Sequence, residues 1–209
     1  MNMFVTGMTG SGKSYFIRDT LLRIKMPIII ISIKKSDIDN FSNDVKDLSG
    51  RKVAITNENF QNITKLQNLG TTDIGFYMDF ISPENQIKFM DNLALMLRTK
   101  QNIVLYIDEC HNFIGQSGQY SKNLISLISM AREQNIHIVL ATQRPQEVQK
   151  SALNNCKYKV SFLLSETNAV KAMSKIFEDV SEEEIKNLPM YKFIIQNAYD
   201  KSTQKNIKI

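Results

Sequence analysis

The period of apolar and polar positions changes repeatedly along the chain, and each change marks an element. Met3-Phe4-Val5-Thr6 is a short, nearly continuous apolar run, the mark of a strand buried on both faces. Residues 13–24 then take helical spacing, with Phe16, Ile17, Thr20 and Leu21 on one side and Arg18 and Asp19 between them. Residues 27–33 (Pro-Ile-Ile-Ile-Ile-Ser-Ile) read as an interior parallel strand, and 52–56 and 73–78 as shorter strands. A helical stripe of Ile87, Met90, Leu93, Ala94 and Leu97 predicts a helix over 84–98, followed by an unbroken apolar strand at 103–107. Leu124, Ile125, Leu127, Ile128 and Ala131 predict a helix over 121–133, and 136–141 is again a strand. The remainder reads as strand 158–164, helix 167–177, short helix 181–188 and strand 192–196. Strands alternating with helices predict an α/β fold, a mostly parallel sheet with helices on both faces. The polar stretch from Asp37 to Asn68 has weak helical spacing and turn formers, and is expected to be an irregular insertion. Repeats and low-complexity linkers are absent, so residues 1–209 are expected to form one domain.

Composition narrows the classes without choosing among them. The chain has 209 residues, 43% of them apolar, enough for one sizeable core. Its longest apolar stretch, residues 26–33, is far too short to span a bilayer, and no leader pattern precedes the first strand. Cys110 and Cys156 lie far apart with no C-x-x-C pair, which excludes a zinc-ribbon or disulfide-framework reading and leaves a reduced cytosolic setting as the expectation. A net charge of +5 is compatible with a polyanionic partner. The basic clusters are Lys34-Lys35, Arg51-Lys52, Arg98 with Lys100 and Lys157 with Lys159, each read first as solvated surface; Lys34, Lys35, Arg98 and Lys100 are the candidates for contacts to a phosphate backbone, should the partner be a nucleic acid.

The chemistry is concentrated in two places. Gly7-Met8-Thr9-Gly10-Ser11-Gly12-Lys13-Ser14 fits G-x-x-x-x-G-K-[ST] at every specified position, and it falls between a strand and a helix. The glycines let backbone N–H groups close around phosphates, the Lys13 ammonium reaches the β/γ-phosphates, and the Ser14 hydroxyl is a ligand for Mg²⁺. The helix N-terminus adds its positive dipole end. The strand Ile103-Val104-Leu105-Tyr106-Ile107 closes on Asp108-Glu109. Asp108 is expected to hold Mg²⁺ through its water shell, and Glu109 to orient and polarise the attacking water, as in a hydrolytic ATP site. A third strand runs into Thr142-Gln143-Arg144-Pro145, and Gln143 is the candidate to sense the γ-phosphate; the alternative is a plain turn set by Pro145.

These three segments, with Met130-Ala131-Arg132-Glu133-Gln134-Asn135 leading into the third strand, resemble the FtsK/HerA superfamily of DNA-pumping ATPases. The resemblance continues more weakly through Leu153-Asn154-Asn155-Cys156 and Leu188-Pro189. It implies a RecA-like ASCE fold, ATP as substrate, Gln143 as sensor, and Arg132 as an arginine finger reaching a neighbouring subunit, with Arg144 as the competitor for that role. A finger acting in trans implies a ring, hexamer or pentamer. The chain lacks room for the barrel, membrane anchor or winged helix of larger members, and looks most like minimal genome-packaging ATPases of membrane-containing icosahedral and archaeal viruses. That likeness implies double-stranded DNA as partner, a capsid or viral membrane protein as docking site, and the host cytoplasm or the virion as location.

Two other classes compete. A thymidine-kinase-like or other small-molecule P-loop kinase is suggested by Ile107-Asp108-Glu109-Cys110-His111-Asn112-Phe113, but the two cysteines cannot build that family's zinc site and Thr142-Gln143-Arg144-Pro145 stays unexplained. A nucleotide-binding assembly protein, like the occludens-toxin-like morphogenesis factors of filamentous viruses, is the other; the absence of a membrane segment counts against it. His111 reads most simply as a loop residue.

Overall fold

In the computed structural model of the chain, residues 1–44, 52–59, 61, 69–79, 81–177 and 179–208 are described. Nine strands form one sheet: β1 (Asn2–Thr6), β2 (Ile28–Ser32), β3 (Lys52–Ala54), β4 (Ile74–Tyr77), β5 (Ile103–Ile107), β6 (Ile136–Thr142), β7 (Tyr158–Phe162), β8 (Lys192–Asn197) and β9 (Thr203–Lys208). Their order is β3-β4-β2-β5-β6-β1-β7-β8-β9. Every pairing from β3 to β7 is parallel, and β8, reversed, pairs antiparallel with both β7 and β9. The helices are α1 (Lys13–Leu22), α2 (Lys35–Asp44), α3 (Pro83–Leu97), α4 (Lys122–Met130), α5 (Lys150–Asn154), α6 (Thr167–Phe177) and α7 (Glu182–Lys186).

The apolar runs are strands because both of their faces are covered. In β1, Phe4 joins a core under α3, α4 and α6, while Met3 and Val5 join a second core under α1 and α2. In β5 the same split puts Ile103, Leu105 and Ile107 on the first face and Val104 and Tyr106 on the second. Fully burying each such side chain contributes about 1.5–3 kcal/mol, so the central strands hold the loops at their ends firmly. That rigidity is what a site on those loops needs.

The order of strands matters most for function. β6 lies between β1 and β5. The loop after β6 is therefore interposed between the loop after β1, which carries Gly7 to Ser14, and the loop after β5, which carries Asp108 and Glu109. In parallel sheets ligands sit outside the carboxyl ends of the strands, and all three segments arrive there together.

The structure departs from the sequence expectations in four places. Within the stretch from Asp37 to Asn68, residues 37–44 belong to the regular helix α2 and residues 52–54 form β3, while 45–51, 60 and 62–68 lie outside the described residues. Ile38 and Phe41, three apart, are the residues that bury α2. Gly75 makes room for it, since a Cβ there would stand 2.6 Å from Ile38 Cγ2. The helix expected to reach Glu133 ends at Met130, where Ile136 N–H donates to the Ala131 carbonyl at 2.8 Å and the chain turns into β6. The five-residue α5 and the edge strand β9 were not expected. β9 reads Thr-Gln-Lys-Asn-Ile-Lys, a lysine-bearing edge that gains its order from pairing with β8. Among the described residues no helix is long and apolar enough to cross a membrane.

Candidate nucleotide-binding site

The loop from Gly7 to Ser14 is built around close approach. A Cβ on Gly7 would stand 2.6 Å from Phe162 Cβ and 2.7 Å from Ser11 Oγ, so β7 can pass beside the loop only at a glycine. Gly12 adopts φ 105° as it enters α1, a conformation closed in practice to side chains. Met8 N–H donates to the Leu163 carbonyl at 2.9 Å, and Ser11 Oγ donates to the Met8 carbonyl at 2.8 Å, pinning the loop to the end of β7. Lys13 is buried at the start of α1. Its Nζ stands 3.9 Å from Glu109 Oε1.

Glu109 is held from several sides. Its backbone is left-handed, φ 43°, a strained conformation for a residue with a Cβ and one that clusters at functional sites. One turn of 3-10 helix, Cys110–Asn112, follows it. The carboxylate accepts from Gln143 Nε2 at 3.0 Å on Oε1, and from Gln143 N–H at 3.2 Å and Thr142 Oγ1 at 3.3 Å on Oε2. His111 Nδ1 lies 3.3 Å from the same Oε2 and 2.9 Å from Thr142 Oγ1. Thr9 Oγ1 of the glycine loop donates to Gln143 Oε1 at 3.0 Å. The three loops are thus one hydrogen-bonded unit: glycine loop to Gln143, Gln143 to Glu109.

Electrostatics separate the two acids. Burial works to raise the Glu109 pKa, but the His111 hydrogen bond, the Lys13 charge and the Gln143 amide outweigh it and hold the carboxyl down at about 2. Asp108 moves the other way: burial pushes its carboxyl above the usual range, Lys13 opposes, and the charges of Glu109 and Asp37 add to the rise. Beneath it, burial and the Asp108 carboxylate push the Tyr106 phenol well above its ordinary value. Two adjacent carboxyls whose environments drive them apart are the arrangement expected when one stays ionised for chemistry and the other awaits a cation.

Ser14 and Asp108 line one cavity of about 260 Å³ with Ser32, Asp37 and Tyr106. A hydroxyl and a carboxyl whose pKa is raised by burial are a donor set that suits Mg²⁺, which takes few protein oxygens and fills its shell with water and phosphate. Among the described residues no group of three His, Cys, Asp or Glu side chains could hold a metal alone.

The structure brings together Gly7, Met8, Thr9, Gly10, Ser11, Gly12, Lys13, Ser14, Asp108, Glu109 and Gln143. It also adds His111 and Thr142. The sequence signal for both was present, His111 two residues past Glu109 and Thr142 at the strand end, but nothing in the spacing says which loop each faces. Other residues lie elsewhere. Arg132 is exposed beyond α4 and lines a groove with Met1, Asn2 and Lys157 at the amino end of the strands, the far end from its own glycine loop. Arg144 stands at the carboxyl end, its Nη1 3.3 Å from Glu147 Oε1. Lys34 and Lys35 follow β2, with Lys35 Nζ 2.7 Å from Asp39 Oδ2. Arg98 closes α3 and donates to Asn123 Oδ1 at 3.4 Å, and Lys100 lies two residues beyond it, ahead of β5. The four cations fall on opposite ends of the sheet and make no single surface.

A parallel sheet with its third strand interposed, a glycine loop before a helix and a fixed glutamate together define a P-loop ATPase of the FtsK/HerA type. The family model described as zonular occludens toxin (Zot) matches residues 1–187, and the chain belongs to that family. Protein P9 of Pseudoalteromonas phage PM2 is 25% identical over 184 residues, covering 88% of this chain and 78% of P9. DNA translocase FtsK of Borreliella burgdorferi is 30% identical over 162 residues, 69% of this chain, which spans only 19% of FtsK. Among solved structures, the genome packaging NTPase B204 of Sulfolobus turreted icosahedral virus 2, in complex with AMPPCP, superposes with a TM-score of 0.71 at 19% identity, covering all of this chain and 97% of that one. VirB4 of Thermoanaerobacter pseudethanolicus gives 0.70 at 12% identity, covering all of this chain and 89% of that one. At these identities the structural likeness speaks for the fold.

Proposed function

We propose that the chain is an ATP-hydrolysing motor that moves double-stranded DNA into a viral capsid. The observation that carries the hydrolytic part is the fixed, ionised Glu109, tied through Gln143 to the glycine loop. A carboxylate at about 2 is a weak base while His111 bonds to it and Lys13 faces it. An incoming phosphate that takes over the Lys13 charge raises Glu109 toward the basicity needed to accept a proton from attacking water. Gln143, bonded to both Thr9 and Glu109, transmits the presence of the γ-phosphate to that carboxylate. Ser14 and Asp108 are the residues that would hold Mg²⁺. When bound, it neutralises charge on the β- and γ-phosphate oxygens.

Arg132, at the far end of the subunit, serves a neighbour's site in a ring of six or five, with Arg144 the alternative. The DNA part rests on the relatives named as a packaging NTPase and a DNA translocase. A capsid or viral membrane protein is the docking partner, and the host cytoplasm, then the virion, is the place of action. Steady-state ATP hydrolysis with and without double-stranded DNA across a salt series tests the motor: stimulation that fades as salt rises is expected, and turnover indifferent to DNA at every salt concentration sinks it. The Zot-family match favours a second reading, a nucleotide-binding assembly protein in which turnover is secondary. A Glu109→Gln variant that keeps full biological activity would select it. The same match weighs against the kinase reading.

A further inference from the structure

On that reading of the site, the catalytic groups fix how a nucleotide lies. Asp108, Glu109 and Gln143 come from β5 and β6, on one side of β1, so the terminal phosphate points to that side. The nucleoside end then points the other way, over β7 and the start of β8. There, two large side chains stand in solvent beside the glycine loop: Met190 and Tyr191, exposed by 45% and 56%.

Tyr15, also exposed, lines a different groove that runs along α1 to Met1, Arg23 and Ile24, away from the loop. Met190 and Tyr191 form the turn between α7 and β8. The Met190 methyl lies 4.0 Å from where a Cβ on Gly10 would be. Tyr191 N–H donates to the Ser11 carbonyl at 3.1 Å, which clamps the turn to the glycine loop. Tyr191 also holds φ 62°, a left-handed conformation that a glycine would adopt without strain. A bulky ring kept in solvent, in a strained backbone, on a turn bonded to the phosphate loop has no packing reason to be there. It has a binding one.

We propose that Tyr191, with Met190, forms the nucleobase subsite, holding the base by its face. A ring and a thioether stack on any base, and a single rotatable phenol hydroxyl, which can donate or accept, does not fix the two-point pattern that separates adenine from guanine. The subsite is therefore purine-tolerant, with affinity coming from stacking and selection for triphosphates coming from the glycine loop.

The test is binding of ATP, GTP and inorganic tripolyphosphate to the full chain in Mg²⁺ buffer by titration calorimetry. Loss of one stacking ring weakens binding by about 10-fold or more. Tyr191→Ala is expected to weaken ATP and GTP alike by that factor and to leave tripolyphosphate unchanged, while Tyr191→Phe keeps all three. Unchanged ATP affinity in Tyr191→Ala overturns the subsite while leaving the phosphate site standing. Equal weakening of ATP and tripolyphosphate overturns it too, because the turn would then only prop the loop. A wild-type chain that binds tripolyphosphate but prefers ATP strongly over GTP overturns the purine tolerance. Binding of none of the three overturns the site reading along with it.

Discussion

The two ends of the parallel sheet treat charge differently. At the carboxyl end the candidate site groups engage one another: Lys13 with Glu109, Glu109 with Gln143, Thr142 and His111, Gln143 with Thr9. At the amino end the groove along Met1, Asn2, Arg132, Asn155 and Lys157 has no acid in its lining. Lys157 Nζ lies over the rings of Tyr158 and Tyr199 at 5.0 and 5.4 Å instead. A closed network performs chemistry within its own subunit. At the amino end Arg132 stands exposed, and the Lys157 charge is felt by the surface carboxylate of Asp200. The difference teaches that the hydrogen-bonded groups of the site gather at one end of the sheet, while the other end presents the cation proposed above to serve a neighbour.

The sharpest break of that comparison is at Arg132. If the amino end serves a neighbour, Arg132→Ala lowers ATP turnover by about 10³-fold or more, the range for a finger supplied in trans, and leaves nucleotide affinity intact. Mixing it with Glu109→Gln then restores part of the activity through interfaces that pair an intact arginine with an intact glutamate. Turnover measured across mixing ratios decides it. No rescue at any ratio removes the shared site, and full activity of Arg132→Ala alone moves the finger to Arg144 or abolishes it.

At the carboxyl end, the expected losses separate by role. Lys13→Ala abolishes hydrolysis and weakens nucleotide binding, because the ammonium meets the phosphates in ground and transition states alike. Glu109→Gln lowers turnover by about 10²–10⁴-fold, the range for a general base, while ATP binding holds or tightens as the repelling carboxylate is lost. Calorimetry and single-turnover hydrolysis on both variants check this. Equal binding losses in the two would mean that Glu109 shapes the loop rather than the reaction.

How much of this was legible in the sequence follows from what sequence patterns encode. The strands at residues 2–6, 28–32, 103–107 and 136–142 were visible because burial on both faces leaves unbroken apolar runs. The glycine loop and the acid pair were visible because their chemistry demands fixed residues at fixed spacing. The edge strand β9 was not, because a strand with one neighbour carries no apolar run. Helix α2 was hidden because two residues, Ile38 and Phe41, suffice to seat it where Gly75 yields space. His111 and Thr142 were discounted because their role depends on β6 lying between β1 and β5, and strand order leaves no local mark. The turn at Met190 and Tyr191 was missed for the same reason: its nearness to Ser11 comes from β8 pairing with β7.

The smallest expected effect sharpens the comparison through pH. Glu109 is held at about 2 against an ordinary 4.5. Its depressed pKa contributes stability that is complete above about 4.5 and is lost as pH falls toward 2, because the unfolded chain takes up the proton first. The side chain is 26% exposed, so the contribution is discounted to about 2 kcal/mol. Urea unfolding of wild type and Glu109→Gln should therefore show a stability difference that shrinks by roughly that amount between pH 5 and pH 2. Asp108, whose pKa is raised, has the opposite sign: the folded chain takes up its proton first, so falling pH favours the fold. Asp108→Asn should accordingly gain stability relative to wild type at neutral pH. The amino end supplies the control, since Arg132→Ala removes an exposed cation outside this network and should run parallel to wild type through the whole window. If the Glu109→Gln curve also runs parallel, the carboxyl end is not the coupled unit its hydrogen bonds describe, and the contrast between the two ends fails at its better-determined side.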